Sequence, residues 1–196
     1  YKELLNQLVE RKPLQMLIQN SALVKERVMD YGIGNTFPNF SAAAVDVDNM
    51  LIDIDVLQED MWTVVYFYPK DFTFICPTEI SDMDKLLGEA DVLGFSPDNE
   101  FCKLAWKEHN AIIRDIQHPL CCDAGGRLAK KLGVYNHNEG VPYRATFILD
   151  EEHVIQHYSV NALDTGRNAE EILRTLLALK TGEMTGCAWQ PGDELL

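Results

Sequence analysis

A chain of 196 residues, 46% of them hydrophobic, is expected to form one domain with appendages. Its net charge of −14 opposes nucleic-acid phosphates, and no lysine- and arginine-rich face stands out to offset it. No apolar run approaches the ~20 residues that span a bilayer, and no secretory signal is visible, so no membrane partner and a cytoplasmic location are expected.

The first 29 residues carry apolar side chains at helical spacing: Leu4, Leu5, Leu8 and Val9, then Leu14, Leu17 and Ile18. Pro13 breaks this stretch into two short helices. Residues 1–32 are therefore an expected helical extension, serving packing or oligomer contact. From Ile33 onward strands and helices alternate. Phe40 to Val47, Leu51 to Val56 and Trp62 to Tyr68 read as strands. A helix follows from Cys76 to about Leu87, then a strand from Ala90 to Ser96 and a helix from Asn99 to Asn110. His118 to Cys121 is a short strand and Arg127 to Leu132 a helix. Arg144 to Leu149 and Val154 to Val160 form a strand pair, and Ala169 to Leu179 closes the domain as an amphipathic helix. This alternation, ending in a hairpin, predicts an α/β fold with a central mixed β-sheet flanked by helices. Residues 180–196 form a polar, glycine-flanked tail.

Cys76 is the most informative residue. The run Trp62-Thr63-Val64-Val65-Tyr66-Phe67-Tyr68 is β-branched and aromatic, as a buried strand requires. Pro69 ends it. Pro77 suits the first turn of a helix, where its missing N–H is no loss. Cys76 is thus expected at a helix N-terminus, where unpaired N–H groups carry roughly half a positive charge. That field favours the thiolate, the nucleophilic form of cysteine. Thr73 offers a hydroxyl to the sulfur or to a bound oxygen. A lone cysteine in such a turn more often serves packing. Pro69, Thr73 and Pro77-Thr78-Glu79 at these spacings favour a reactive one.

The Pro69, Thr73, Cys76 pattern resembles the peroxiredoxins. Asp71-Phe72-Thr73-Phe74-Ile75-Cys76-Pro77-Thr78-Glu79 is similar to the typical two-cysteine subgroup, which includes the alkyl hydroperoxide reductase C proteins. Gly34 to Phe40, Phe101 to Trp106, Tyr143 to Asp150, Thr165-Gly166-Arg167-Asn168 and the tail from Gly182 to Gly192 resemble further family motifs, in family order. The resemblance implies a thioredoxin-like fold over residues 33–179. It implies a thiol peroxidase acting on hydroperoxides with no organic cofactor and no metal, reduced by a dithiol protein of the thioredoxin type or by a flavoprotein disulfide reductase. A homodimer, and a ring of dimers, are implied as well. The resemblance assigns attack on the peroxide to Cys76, its holding to Thr73 and Arg144, shielding of the sulfur to Pro69, and bracing of Arg144 to Glu79 and Arg167. Cys187 becomes the resolving cysteine. It lies two residues before Trp189, whereas the common family position is four residues before that tryptophan, here Thr185. The Gly-Gly-Leu-Gly insertion and Tyr-Phe tail helix of peroxide-sensitive relatives are missing from this text, which implies resistance to overoxidation. Two other readings stand beside this one: a one-cysteine peroxidase with Cys187 incidental, and an oligomeric holdase or redox relay.

The remaining candidates are plainer. On its own, Arg144 reads as a snorkelling strand cation. Cys102 reads as a packing residue on its helix. Cys121 and Cys122, adjacent on a strand, are expected to face opposite sides, one buried and one exposed. His153 and His157 are spaced like a helical metal pair but fall on a predicted strand, ~13 Å apart, which argues against zinc. No Cys-x-x-Cys pair occurs.

Overall fold

The computed structural model describes residues 31–57 and 60–196. The expected helices before Met29 lie outside the described residues. Among the described residues no helix is long and apolar enough to cross a membrane.

A seven-stranded sheet organises the chain, in the order β2-β1-β5-β4-β3-β8-β9. Its strands are β1 (Ser41–Val45), β2 (Leu51–Asp55), β3 (Thr63–Phe67), β4 (Asp91–Ser96), β5 (Leu120–Cys122), β8 (Arg144–Leu149) and β9 (Ile155–Asn161). The central β3, β4 and β5 run parallel, and the outer pairings are antiparallel. Parallel neighbours need helical crossovers. These are α1 (Cys76–Met83) between β3 and β4, and α2 (Glu100–His109) between β4 and β5. Two further helices are α3 (Arg127–Lys131) and α4 (Ala169–Lys180).

Every residue of β3 is buried, as a strand covered on both faces must be. Its side chains alternate with period two. Val65 and Phe67 enter one core with Phe37, Phe95 and Phe147. Val64, Tyr66 and Tyr68 enter the other with Cys76, Ile80, Trp106 and Leu176. Helices α2 and α4 start on side-chain caps. Asn99 accepts from the Cys102 N–H at 2.8 Å, and Asn168 accepts from the Glu170 N–H at 2.9 Å.

Three expectations need correction. Cys121 and Cys122 are both buried, because β5 lies inside the sheet between β1 and β4 with both faces covered. Burial pushes the Cys122 thiol up to about 12 and the Cys121 thiol up as well, so both stay protonated. His153 sits in the turn before β9 at a φ of +63°, not on a strand. A small hairpin, β6 (Tyr135–Asn136) with β7 (Val141–Pro142), was not expected; two-residue strands leave no periodicity to read. The helix after Cys76 also ends at Met83, and a 3-10 turn, Asp84–Leu86, completes the span.

Tyr66 lies across from Gly94 in the β3–β4 register. A Cβ at Gly94 would stand 2.4 Å from the Tyr66 hydroxyl oxygen, and that ring is fully buried. Gly94→Ala should therefore cost about 1–3 kcal/mol as overpacking. A urea midpoint unchanged from wild type would show that the Tyr66 ring can yield.

Candidate active site

β3 ends at Phe67, and the loop through Pro69 and Asp71 leads to Cys76, the first residue of α1. Cys76 is buried, 1% exposed, against the second core. The chain is already helical at Ile75, whose carbonyl accepts from the N–H groups of Thr78 at 3.1 Å and Glu79 at 3.3 Å. Cys76 thus lies within the first turn, in the field of the helix N-terminus.

β8 runs antiparallel to β3, so its first residue lies at the end where β3 stops. That residue is Arg144. Its Nη1 stands 3.5 Å from Cys76 Sγ and 2.5 Å from Glu79 Oε2, and its Nε donates to the Leu163 carbonyl at 2.7 Å. Glu79, one turn along α1 from Cys76, is held from the other side by Arg167. Arg167 Nε and backbone N–H donate to Oε1 at 3.0 and 2.9 Å, and Nη2 donates to Oε2 at 3.1 Å. The remaining fork nitrogen, Nη1, donates to the carbonyls of Phe67 and Ala145, at 2.8 and 2.9 Å. The Arg167 guanidinium also lies 5.0 Å from the centre of the Tyr66 ring.

The charges in this group do not cancel. Arg144 and Arg167 contribute two positive charges and Glu79 one negative, all with side chains at most 5% exposed. A buried uncompensated charge is costly. The nearest group to this excess charge that can carry an anion is Cys76, whose Sγ lies 3.5 Å from Arg144 Nη1.

A second buried network pins the loop. Lys103 Nζ, on α2, reaches Ser96 Oγ at 2.5 Å, the Tyr68 hydroxyl at 3.0 Å and Asp71 Oδ1 at 3.4 Å. Asp98 accepts from the Asp71 backbone N–H at 2.9 Å. Burial pushes the Asp71 carboxyl up, and the Lys103 ammonium opposes that shift. Asp71, Asp98 and Cys102 bring ligand-type atoms within 4.8 Å of one another. Lys103 already supplies the cation there.

The structure brings Cys76, Arg144, Glu79 and Arg167 together. Pro69 is buried in the same loop. Thr73 is half-buried, and its hydroxyl donates to the Lys70 carbonyl at 2.9 Å. One hydroxyl has one proton, so it does not donate to the sulfur here, but its lone pairs are left to accept. Cys187 is exposed on the tail. That tail is anchored by buried Trp189, whose carbonyl accepts from Arg174 Nη1 at 3.1 Å. Sequence reading missed the Leu163, Phe67 and Ala145 carbonyls, which carry no side-chain signal, and Lys103, whose place on an otherwise packed helix face was the available one.

Residues 33–158 match the model of the AhpC/TSA family. The chain belongs to that family. It is 38% identical over 179 residues to the alkyl hydroperoxide reductase C of Mycolicibacterium smegmatis, covering 82% of this chain and 91% of that protein. It is 36% identical over 200 residues to the chloroplastic 2-Cys peroxiredoxin BAS1 of Spinacia oleracea, covering 94% and 75%. The reduced 2-Cys peroxiredoxin of Plasmodium vivax superposes with a TM-score of 0.78 at 33% identity, over 83% of this chain and 91% of that one. AhpC of Mycobacterium tuberculosis gives 0.72 at 35%, over 80% and 96%. The fold is accordingly thioredoxin-like.

Glu79→Gln should unbalance the buried network, leaving two guanidinium groups without a carboxylate. The expected loss is about 3 kcal/mol or more of stability. Equal urea midpoints for variant and wild type would show that the two arginines tolerate each other without it.

Proposed function

We infer that the chain is a thiol-dependent peroxidase that reduces hydrogen peroxide and organic hydroperoxides. The observation that carries this is the buried Cys76 sulfur, 3.5 Å from a guanidinium whose partner carboxylate is shared with a second arginine. The Cys76 thiolate attacks one peroxide oxygen, the O–O bond breaks, and sulfur is oxidised to the sulfenic acid. The departing oxygen carries the electron pair and leaves, once protonated, as water or alcohol. Arg144 is placed to stabilise charge as it develops on that oxygen. Thr73, its own proton engaged by Lys70, is left to accept from the hydroperoxide O–H. Pro69 closes the loop over the sulfur and excludes water.

Resolution falls to Cys187 of a second subunit. Its thiolate attacks the sulfenic sulfur and expels hydroxide, forming a disulfide. An external dithiol protein then exchanges with that disulfide and supplies the two electrons of the cycle. A disulfide needs sulfurs ~2.05 Å apart, and Cys76 is buried while Cys187 is exposed. The first turn of α1 must therefore open between the two steps. Exposed Phe72 and Phe74 on the active-site loop, exposed Phe101 on α2, and β9 as an outer strand of the sheet support contact with further copies of the chain. A homodimer assembled into a ring of dimers fits these surfaces.

Arg144→Lys keeps the charge but loses the fork that serves Leu163, Glu79 and sulfur together. Its rate of reaction with hydrogen peroxide should fall about 100-fold, as for loss of one preorganised donor. Competition kinetics against a catalase-type scavenger would measure it, and a rate within twofold of wild type would reject the role. Cys187→Ser should still give a dimedone-trappable Cys76 sulfenic acid. It should lose the disulfide-linked dimer on non-reducing gels, and a dimer that persists would assign resolution to another thiol.

A further inference from the structure

Helix α1 is held at both ends, and the second hold is not part of the chemistry above. At its start, Glu79 is gripped by Arg167, which lies over the Tyr66 ring. At its far end, Asp84 accepts from the Gln117 backbone N–H at 3.1 Å through both carboxylate oxygens, and pairs with His118 Nδ1 at 2.6 Å. His118 Nε2 meets the Tyr66 hydroxyl at 2.7 Å. Tyr66 and His118 are fully buried, and Asp84 is partly exposed. Both ends of the Cys76 helix thus return to one tyrosine on β3. Burial, only partly opposed by Arg167, keeps the Tyr66 phenol protonated. A neutral His118 donates to Asp84 and accepts from Tyr66; a charged one donates to both. The chain of bonds is complete in either form. Gly94 makes room for the Tyr66 hydroxyl.

We propose that Tyr66, His118 and Asp84 form a tether that fixes the far end of the Cys76 helix to the sheet and sets how readily Cys76 leaves its pocket to meet Cys187. Tyr66 and His118 are positioning residues: neither touches the sulfur or a peroxide bound to it. A strong tether keeps Cys76 beside Arg144, which favours attack on peroxide. The same tether slows the opening that resolution needs, and a sulfenic acid that stays buried in the pocket can be oxidised again by a second hydroperoxide to the sulfinic acid. The Cys187 half of the proposal rests on the resolving role given above; the tether itself does not.

The test separates tethering from ordinary core stability. Tyr66→Phe alone leaves His118 Nε2 buried without a partner, which destabilises any core. The double variant Tyr66→Phe/His118→Leu removes both polar partners and leaves apolar groups, a change that can be nearly neutral overall. In reduced protein, amides of α1 in the double variant should exchange about tenfold faster or more, the factor given by losing a hydrogen bond to a charged group. Amides of β8 should keep wild-type protection. Unchanged α1 exchange, or α1 and β8 shifting together, would overturn the tether. After an excess of hydrogen peroxide over Cys76, mass spectrometry should show the ratio of Cys76–Cys187 disulfide to Cys76 sulfinic acid rising several-fold over wild type. Faster α1 exchange with an unchanged ratio would overturn the link to resolution. Absence of that disulfide in wild type would reject Cys187 as the resolver, and the exchange data would still decide the tether.

Discussion

One carboxylate between two guanidinium groups is the constraint on which the site depends. Glu79 fastens α1 to β8 through Arg144, and to the ends of β3 and β8 through Arg167. Taking three charges out of water is costly, and their mutual attraction offsets that only when every donor is engaged. Here most donors are. Arg167 spends its fork on Glu79 and two strand carbonyls, and Arg144 divides its own among Leu163, Glu79 and sulfur. What remains is one unit of positive charge with Cys76 as its neighbour. On the function proposed above, the reactivity of Cys76 and the rigidity of its pocket come from the same ions.

The sheet explains why these groups meet. β3 and β4 run parallel, and β8 runs against them. The C-terminal ends of the parallel strands and the N-terminal end of β8 therefore share one edge of the sheet. Loops leaving that edge carry Pro69 to Cys76, and β8 begins there with Arg144. Crevices at the carboxyl ends of parallel strands are where α/β sheets place their ligands. Opposite alternate faces of β3, Phe67 fills one core while Tyr66 and Tyr68 fill the other. The face that packs Cys76 is the one that carries two hydroxyls, and both are bonded, to His118 and to Lys103.

Much of this was legible because it is written locally. Cys76 follows a strand, a proline and a turn, and Arg144 opens an apolar strand; each signal is complete within a dozen residues. Element positions followed the same logic, and their ends moved by a few residues where caps and turns decide, as at Asn99 and Asp84. The remainder is long-range. Tyr66 and His118 are 52 residues apart, and His118 and Asp84 are 34 apart. Singly they read as a strand aromatic, a loop histidine and a helix-end acid. The Thr73 hydroxyl was expected to donate to the sulfur or to a bound oxygen. Its direction is set by a turn in which Phe72 takes a φ of +54°, and no residue pattern announced that. The pair Cys121 and Cys122 was misjudged because alternation tells which face a side chain takes, not whether that face is covered.

The two halves of the cycle proposed above make opposite demands on α1. Attack on peroxide needs Cys76 fixed within bonding distance of Arg144, in a pocket closed to water. Disulfide formation needs the same sulfur outside it. A helix of eight residues is too short to hold itself together in water, so its order is borrowed from its contacts. At the N-terminal end those contacts are the ions of the chemistry, and they cannot be weakened without losing the first step. At the far end, Asp84 and His118 are free of that duty. Their partly exposed carboxylate makes them the softer of the two holds. The balance between holding and releasing Cys76 can be adjusted there with least effect on the reacting atoms.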